Sequence, residues 1–141
     1  MKIGIFTFHC AKNYGAVLQA YGLQEYLRSQ GHKVYIIDYR PKYLTDPYKI
    51  FNVKRIFDNF SLKLLLREIL TIPIRLKRTI AFNKFVRQRL DLCKLDLNND
   101  CNDFDAYVFG SDQIWNPRLT GGFDDVYFGK FPAAKGKLVL S

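Results

Sequence analysis

A chain of 141 residues that is 48% hydrophobic and 25% charged has the make-up of one globular domain with a real core, which excludes the disordered and fibrous classes. No apolar run approaches the roughly 20 residues that cross a bilayer, and the short run after Lys2 leads to no small-residue cleavage site, so a cytoplasmic protein is expected. The net charge of +9 is local: from Lys54 to Arg89 ten basic residues stand against two acidic ones, which accounts for +8 of it. Three cysteines (Cys10, Cys93, Cys101) without Cys-x-x-Cys spacing argue against a disulfide framework and a zinc site, so no metal is expected.

The chain opens on an apolar run rich in Ile and Phe, Lys2-Ile-Gly-Ile-Phe-Thr-Phe8, which reads as a buried strand. A polar loop ending on glycine follows (His9-Cys-Ala-Lys-Asn-Tyr-Gly15), then a helix that begins on small residues and stops at Gly31. A second apolar run, Val34-Tyr-Ile-Ile-Asp38, ends on a carboxylate. This is a βαβ unit of the kind that opens a doubly wound α/β domain, in which ligands gather at the carboxyl ends of the strands. The loop from His9 to Gly15 is therefore a candidate ligand site. Gly15 permits close approach, Asn13 can pair with a ligand or cap the helix, and His9 can act as acid, base or donor, or bond locally. Cys10 reads as a small thiol rather than a nucleophile, since no base accompanies it. The loop lacks the G-x-G-x-x-G spacing of dinucleotide sites. Asp38 stands where a ribose-binding carboxylate would, yet Tyr39-Arg-Pro41 fits an Asp–Arg surface pair equally well.

Beyond Asp38, residues 42–59 show no clean period. From Ser61, a plausible N-cap, Leu62, Leu65, Leu66 and Ile69 fall on one helical face, and Pro73 is expected to break or kink the run. A second basic helix is expected from Ile74 to Leu90, with Leu76, Ile80, Phe82, Phe85, Val86 and Leu90 as its apolar face.

A third strand is signalled by Tyr107-Val-Phe109 and leads into Gly110-Ser-Asp-Gln-Ile-Trp-Asn-Pro117. That second loop should open on the same edge as the first. Its hydrogen-bonding side chains (Ser111, Asp112, Gln113, Asn116) beside Trp115 suit carbohydrate, which needs paired donors and acceptors and a flat apolar face. The plainer alternative makes Ser111 or Asp112 a helix cap and buries Trp115. Residues 123–131 read as aromatic loop, and Lys137-Leu-Val-Leu-Ser141 as the start of a fourth strand. A sheet ending there leaves an apolar edge. Residues 1–141 are therefore expected to be an incomplete N-terminal Rossmann-like domain, with a basic helical insert at about 54–90.

Together, Lys2-Ile-Gly-Ile-Phe-Thr-Phe-His9, Asn13-Tyr-Gly-Ala-Val-Leu-Gln-Ala20, Ile37-Asp-Tyr-Arg-Pro41 and Gly110-Ser-Asp-Gln-Ile-Trp-Asn-Pro117 resemble the polysaccharide pyruvyl transferase family. The resemblance runs along the whole chain, with the basic insert matching only in kind. It implies an α/β fold with a Rossmann-like parallel sheet and flanking helices, forming the N-terminal half of a two-domain architecture like that of glycosyltransferase B. The implied reaction transfers a pyruvyl group from phosphoenolpyruvate, as co-substrate and with no cofactor, to two sugar hydroxyls as a ketal, in surface or extracellular polysaccharide biosynthesis. Asn13, Tyr14, Gly15, Gly110, Ser111, Asp112 and Gln113 carry over as cleft-lining positions, and His9 and Asn116 join them as substrate-binding candidates. Asp112 and His9 are the catalytic candidates within the chain, because the family's basic and histidine donor-site residues lie in a second domain absent from these 141 residues.

The expected partner is a sugar or lipid-linked oligosaccharide acceptor. The basic insert at 54–89 fits peripheral contact with the inner face of a membrane, against the plainer reading of a solvated helical face. No recognition motif accompanies the charge, so nucleic acid is not expected. Two rival readings are a nucleotide-sugar-dependent glycosyltransferase of similar architecture and a non-catalytic binding module.

Overall fold

A computed structural model describes residues 1–45, 62–94, 96–97, 103–110, 114, 116–120 and 122–140; it does not describe the side chains of 62–69 and 119. Alternation along the apolar runs makes the sheet. Ile3 and Ile5 point to one face of β1 (Lys2–Phe6), while Phe6 points to the other. The same alternation divides Val34 and Ile36 from Ile37 in β2 (Lys33–Ile37), and Val108 from Tyr107 and Phe109 in β4 (Ala106–Phe109). A two-residue strand β3 (Leu92–Cys93) and β5 (Leu138–Leu140) complete an all-parallel sheet of order β3-β2-β1-β4-β5. This is the doubly wound order, and its topological switch point lies between β1 and β4. The Rossmann-like expectation is met. The four strands read from the sequence are present, and β3 is an addition too short to leave a periodic signal.

Helix α1 (Tyr14–Ser29) begins at Asn13, whose side chain accepts the Gly15 N–H at 2.9 Å. It ends where Gly31 takes φ +84° and donates its N–H to Arg28 O. A short helix, α2 (Lys42–Thr45), follows β2. The long helix α3 then runs unbroken over Leu62–Arg89, with Pro73 inside it. Two helices parted at Pro73 were expected; one is found. Proline removes a single intrahelical bond, and the Leu, Arg and Lys residues on either side favour helix strongly enough to carry the chain through. Ser61 and the stretch before it lie outside the described residues.

One face of the sheet carries α1 and the C-terminal half of α3, which packs through Phe82, Val86 and Leu90. Gln24 of α1, fully buried, clamps the end of that helix. Its Nε2 donates to Arg89 O, and its Oε1 accepts the Asp91 N–H, both at 3.0 Å. Of the apolar face expected for α3, Phe82, Val86 and Leu90 are buried and Phe85 packs against them, whereas Leu76 and Ile80 are 40% and 64% exposed.

The opposite face is aromatic. Phe6 stacks on Phe109 (centroids 5.0 Å, interplanar 10°) and meets Tyr39, Tyr107 and Phe131 at 5.3–6.4 Å. Helix α4 (Pro117–Thr120) and the 3-10 turns Asp125–Phe128 and Pro132–Ala134 bring Tyr127, Phe131, Ala133 and Ala134 to this layer.

Phe6 sits at the centre of that layer, so Phe6→Ala is expected to lower the unfolding free energy by about 3–5 kcal/mol in urea denaturation. Ile80→Ala, on the solvent side of α3, should change it by no more than about 0.5 kcal/mol.

Candidate functional site

β1 and β4 run parallel and in register to Phe6↔Phe109, so the chain leaves both strands on the same edge of the sheet. Thr7–Gly15 departs from one and Gly110 from the other, with the Gly110 N–H donating to Phe6 O at 3.0 Å. The two loops read from the sequence therefore start side by side at the switch point, where doubly wound sheets hold ligands.

His9 is fully buried beneath this edge. Its Nδ1 lies 3.2 Å from Thr7 O, and its Nε2 lies 2.9 Å from Asp38 Oδ1, just past the end of β2. Both partners are hydrogen-bond acceptors. Arg40 Nε donates to the same Asp38 oxygen at 2.5 Å. The bond from His9 and the nearby guanidinium hold the Asp38 carboxyl down, from its ordinary 3.8 to about 2, against the opposing effect of burial. Asp38 thus forms the surface pair with Arg40 and, in addition, ties β2 to the β1–α1 loop.

Beside this pair, burial pushes the Cys10 thiol up to about 11, only partly offset by Arg40. Cys10 is a neutral thiol at physiological pH and makes a poor nucleophile. Tyr39 and Tyr43 both donate to Asp124 Oδ2, at 2.9 and 2.5 Å, while Asp124 Oδ1 accepts the Val126 N–H and caps the first 3-10 turn. Burial, reinforced by the Asp124 carboxylate, raises the pKa of both phenols. The hydroxyls of Thr7 and Tyr127 are buried here without hydrogen-bond partners among the described residues.

The remaining candidates divide by exposure. Asn13, Tyr14 and Gly15 stand in solvent at the start of α1, with Asn13 serving as the cap and the Tyr14 ring edge-on to Phe82 at 5.7 Å. Asn116 is half-buried, and its Oδ1 accepts the Arg118 N–H at 3.1 Å at the head of α4. Ser111, Asp112, Gln113 and Trp115 lie outside the described residues; Ile114 among them is buried. The arrangement offers exposed hydrogen-bonding groups and a helix N-terminus on a β1–α1 loop that the buried His9 ties to the end of β2.

Sequence reading missed the tie between His9 and Asp38. The available signal was the carboxylate at the end of the run adjoining β1. It missed Asp124 entirely, since an aspartate 85 residues from Tyr39 carries no local pattern.

Comparison with known proteins adds one finding. The family model described as polysaccharide pyruvyl transferase matches residues 13–140. Searches of curated proteins and of solved structures each returned no match.

The Asp38 linkage has a pH signature. Its folded pKa lies below the unfolded value, so its stabilisation is present above about pH 4 and is lost as pH falls through about 2. Asp38→Asn is expected to cost about 1.5–3 kcal/mol at pH 7 and to flatten the acid limb of stability, measured by urea unfolding from pH 7 to 2.

Proposed function

Because the chain belongs to the polysaccharide pyruvyl transferase family, we propose that it forms the acceptor-holding half of an enzyme moving a pyruvyl group from phosphoenolpyruvate to a sugar of a surface or extracellular polysaccharide. What supports this reading is that the loop bearing Asn13, Tyr14 and Gly15 and the segment beginning at Gly110 leave adjoining parallel strands on one edge of the sheet, the first of them tied to β2 through His9 and Asp38.

In the proposed reaction a general acid protonates the methylene carbon of phosphoenolpyruvate, leaving a cationic centre at the carbon that bears phosphate. One sugar hydroxyl adds to that centre and gives up its proton. The second hydroxyl then displaces phosphate and closes the ketal. One hydroxyl proton is balanced by the new methyl group and the other leaves with phosphate. Asn13 and the first N–H groups of α1 would orient the hydroxyls, Asp112 would draw off a proton, and the buried His9 would position the loop through Asp38. The donor would be held by a second Rossmann-like half facing this edge, as in glycosyltransferase-B-like enzymes.

The test is phosphate release from phosphoenolpyruvate by the full-length protein over a panel of sugars. Release that depends on the sugar is expected; turnover of a nucleotide-sugar instead would favour the glycosyltransferase reading. Asn13→Ala and Asp112→Ala should each raise the acceptor KM or lower kcat by about ten- to a hundredfold, with the donor KM unchanged. A loss of melting temperature with unaltered kinetic constants would reduce both residues to helix caps.

A further inference from the structure

The side of α3 turned away from the sheet is neither polar nor apolar. Phe82 and Val86, both buried, set the inward direction of the helix. At about 100° per residue, Lys77 and Lys84 fall opposite them, with Leu76, Ile80 and Arg87 on one flank and Leu70 and Ile74 on the other. All seven are exposed, the four aliphatic ones by 40–73%. Leaving so many large aliphatic side chains of one helix in water is unfavourable, and such a patch marks a contact surface. From Leu70 to Leu90 the sequence has six basic residues and no Asp or Glu, so this side offers positive charge to whatever covers it. The seven residues extend over about 25 Å of helix.

We propose that this face docks the protein on the surface of an anionic lipid bilayer, with the helix lying along the interface. Charge complementarity selects the occupant. A second copy meeting it face to face would set cation against cation, with no acidic residue on either helix between Leu70 and Leu90 to relieve the repulsion. A groove in a partner protein takes one continuous apolar stripe, whereas here two apolar flanks are parted by lysines. Nucleic acid would pair with the cations and leave the aliphatic flanks wet, since bases stack on aromatic rings and this face exposes none. An anionic bilayer satisfies both kinds of group. Lys and Arg reach the lipid phosphates on long stems, while Leu and Ile enter the headgroup layer. Tyr14, at the head of α1, meets Phe82 of α3 at 5.7 Å between ring centroids, so the β1–α1 loop stands beside the docked helix. The docking itself is independent of the reaction at that loop.

Co-sedimentation of the full-length protein with lipid vesicles tests this. Vesicles of phosphatidylcholine mixed with phosphatidylglycerol should bind it at least about tenfold more tightly than phosphatidylcholine alone, and the binding should weaken as salt is raised. The Lys77→Gln/Lys84→Gln/Arg87→Gln triple should weaken it about a hundredfold, at roughly fivefold per cation. The Leu76→Ser/Ile80→Ser pair, which leaves the charge unchanged, should weaken it about tenfold. Lys135→Gln, at an exposed lysine outside the helix, should change nothing. Every substituted side chain is exposed, and circular dichroism of each variant checks its fold. Equal affinity for the two kinds of vesicle, an unchanged triple variant or an unchanged Leu76/Ile80 pair would overturn the docking. So would single-stranded RNA binding that the triple variant loses in a protein that leaves vesicles alone, which assigns the face to nucleic acid. A dimer in ultracentrifugation that the Leu76/Ile80 pair dissociates would overturn it too, by assigning the face to a second copy. No turnover is needed. Vesicle binding lost in these variants, in a protein without sugar-dependent phosphate release, would sustain the docking and reject only the proposed reaction.

Discussion

The position of β1 at the centre of an all-parallel sheet is the constraint on which the rest depends. With β2 and β4 on its edges, α1 and α3 on one face and the aromatic layer on the other, β1 is buried on both faces, so it must be apolar at successive positions. Gly4 shows how tightly: a Cβ there would lie 3.0 Å from Ile37 Cδ1 and from the Tyr107 ring. The central strand also fixes the edge from which both candidate loops leave, because parallel neighbours in register end together. The reaction proposed for the chain follows from two loops leaving that one edge.

What holds the first of those loops is a set of polar contacts to the end of β2. His9 and Asp38 belong to neighbouring strand ends and meet only because β1 and β2 pair. Asp124 receives two phenols from the segment after β2, and so joins the first half of the chain to its end. These groups are largely withdrawn from water, where an unmade hydrogen bond is costly and a made one is geometrically specific. The exposed residues of the β1–α1 loop therefore stand on a fixed base.

The basic charge concentrated in the sequence acquires meaning from α3. Leu70, Ile74 and Ile80 are exposed on it, as are Arg75 and Arg78, which stand near Lys12 and Tyr14. Among the described residues no helix is long and apolar enough to cross a membrane.

The sequence by itself determined the βαβ opening, four of the five strands, the Asn13 and Gly31 boundaries of α1, and the two loops at the strand ends. Each is written in local signals: alternation, capping chemistry and glycine at a left-handed turn. It did not determine that Pro73 lies inside one helix, because a single lost bond is weighed against packing that periodicity does not contain. It placed Leu76 and Ile80 wrongly on the otherwise correct apolar face of α3 for a related reason: Ile80 and Phe82 look alike as letters, and only the helix's rotation against Gln24 and the sheet decides which is buried. The pairing of His9 with Asp38, of Tyr39 and Tyr43 with Asp124, and of Lys12 with Thr79 joins residues 29 to 85 positions apart. Such contacts belong to tertiary structure alone, since side chains far apart in the chain become neighbours only when strand order and helix packing bring them together.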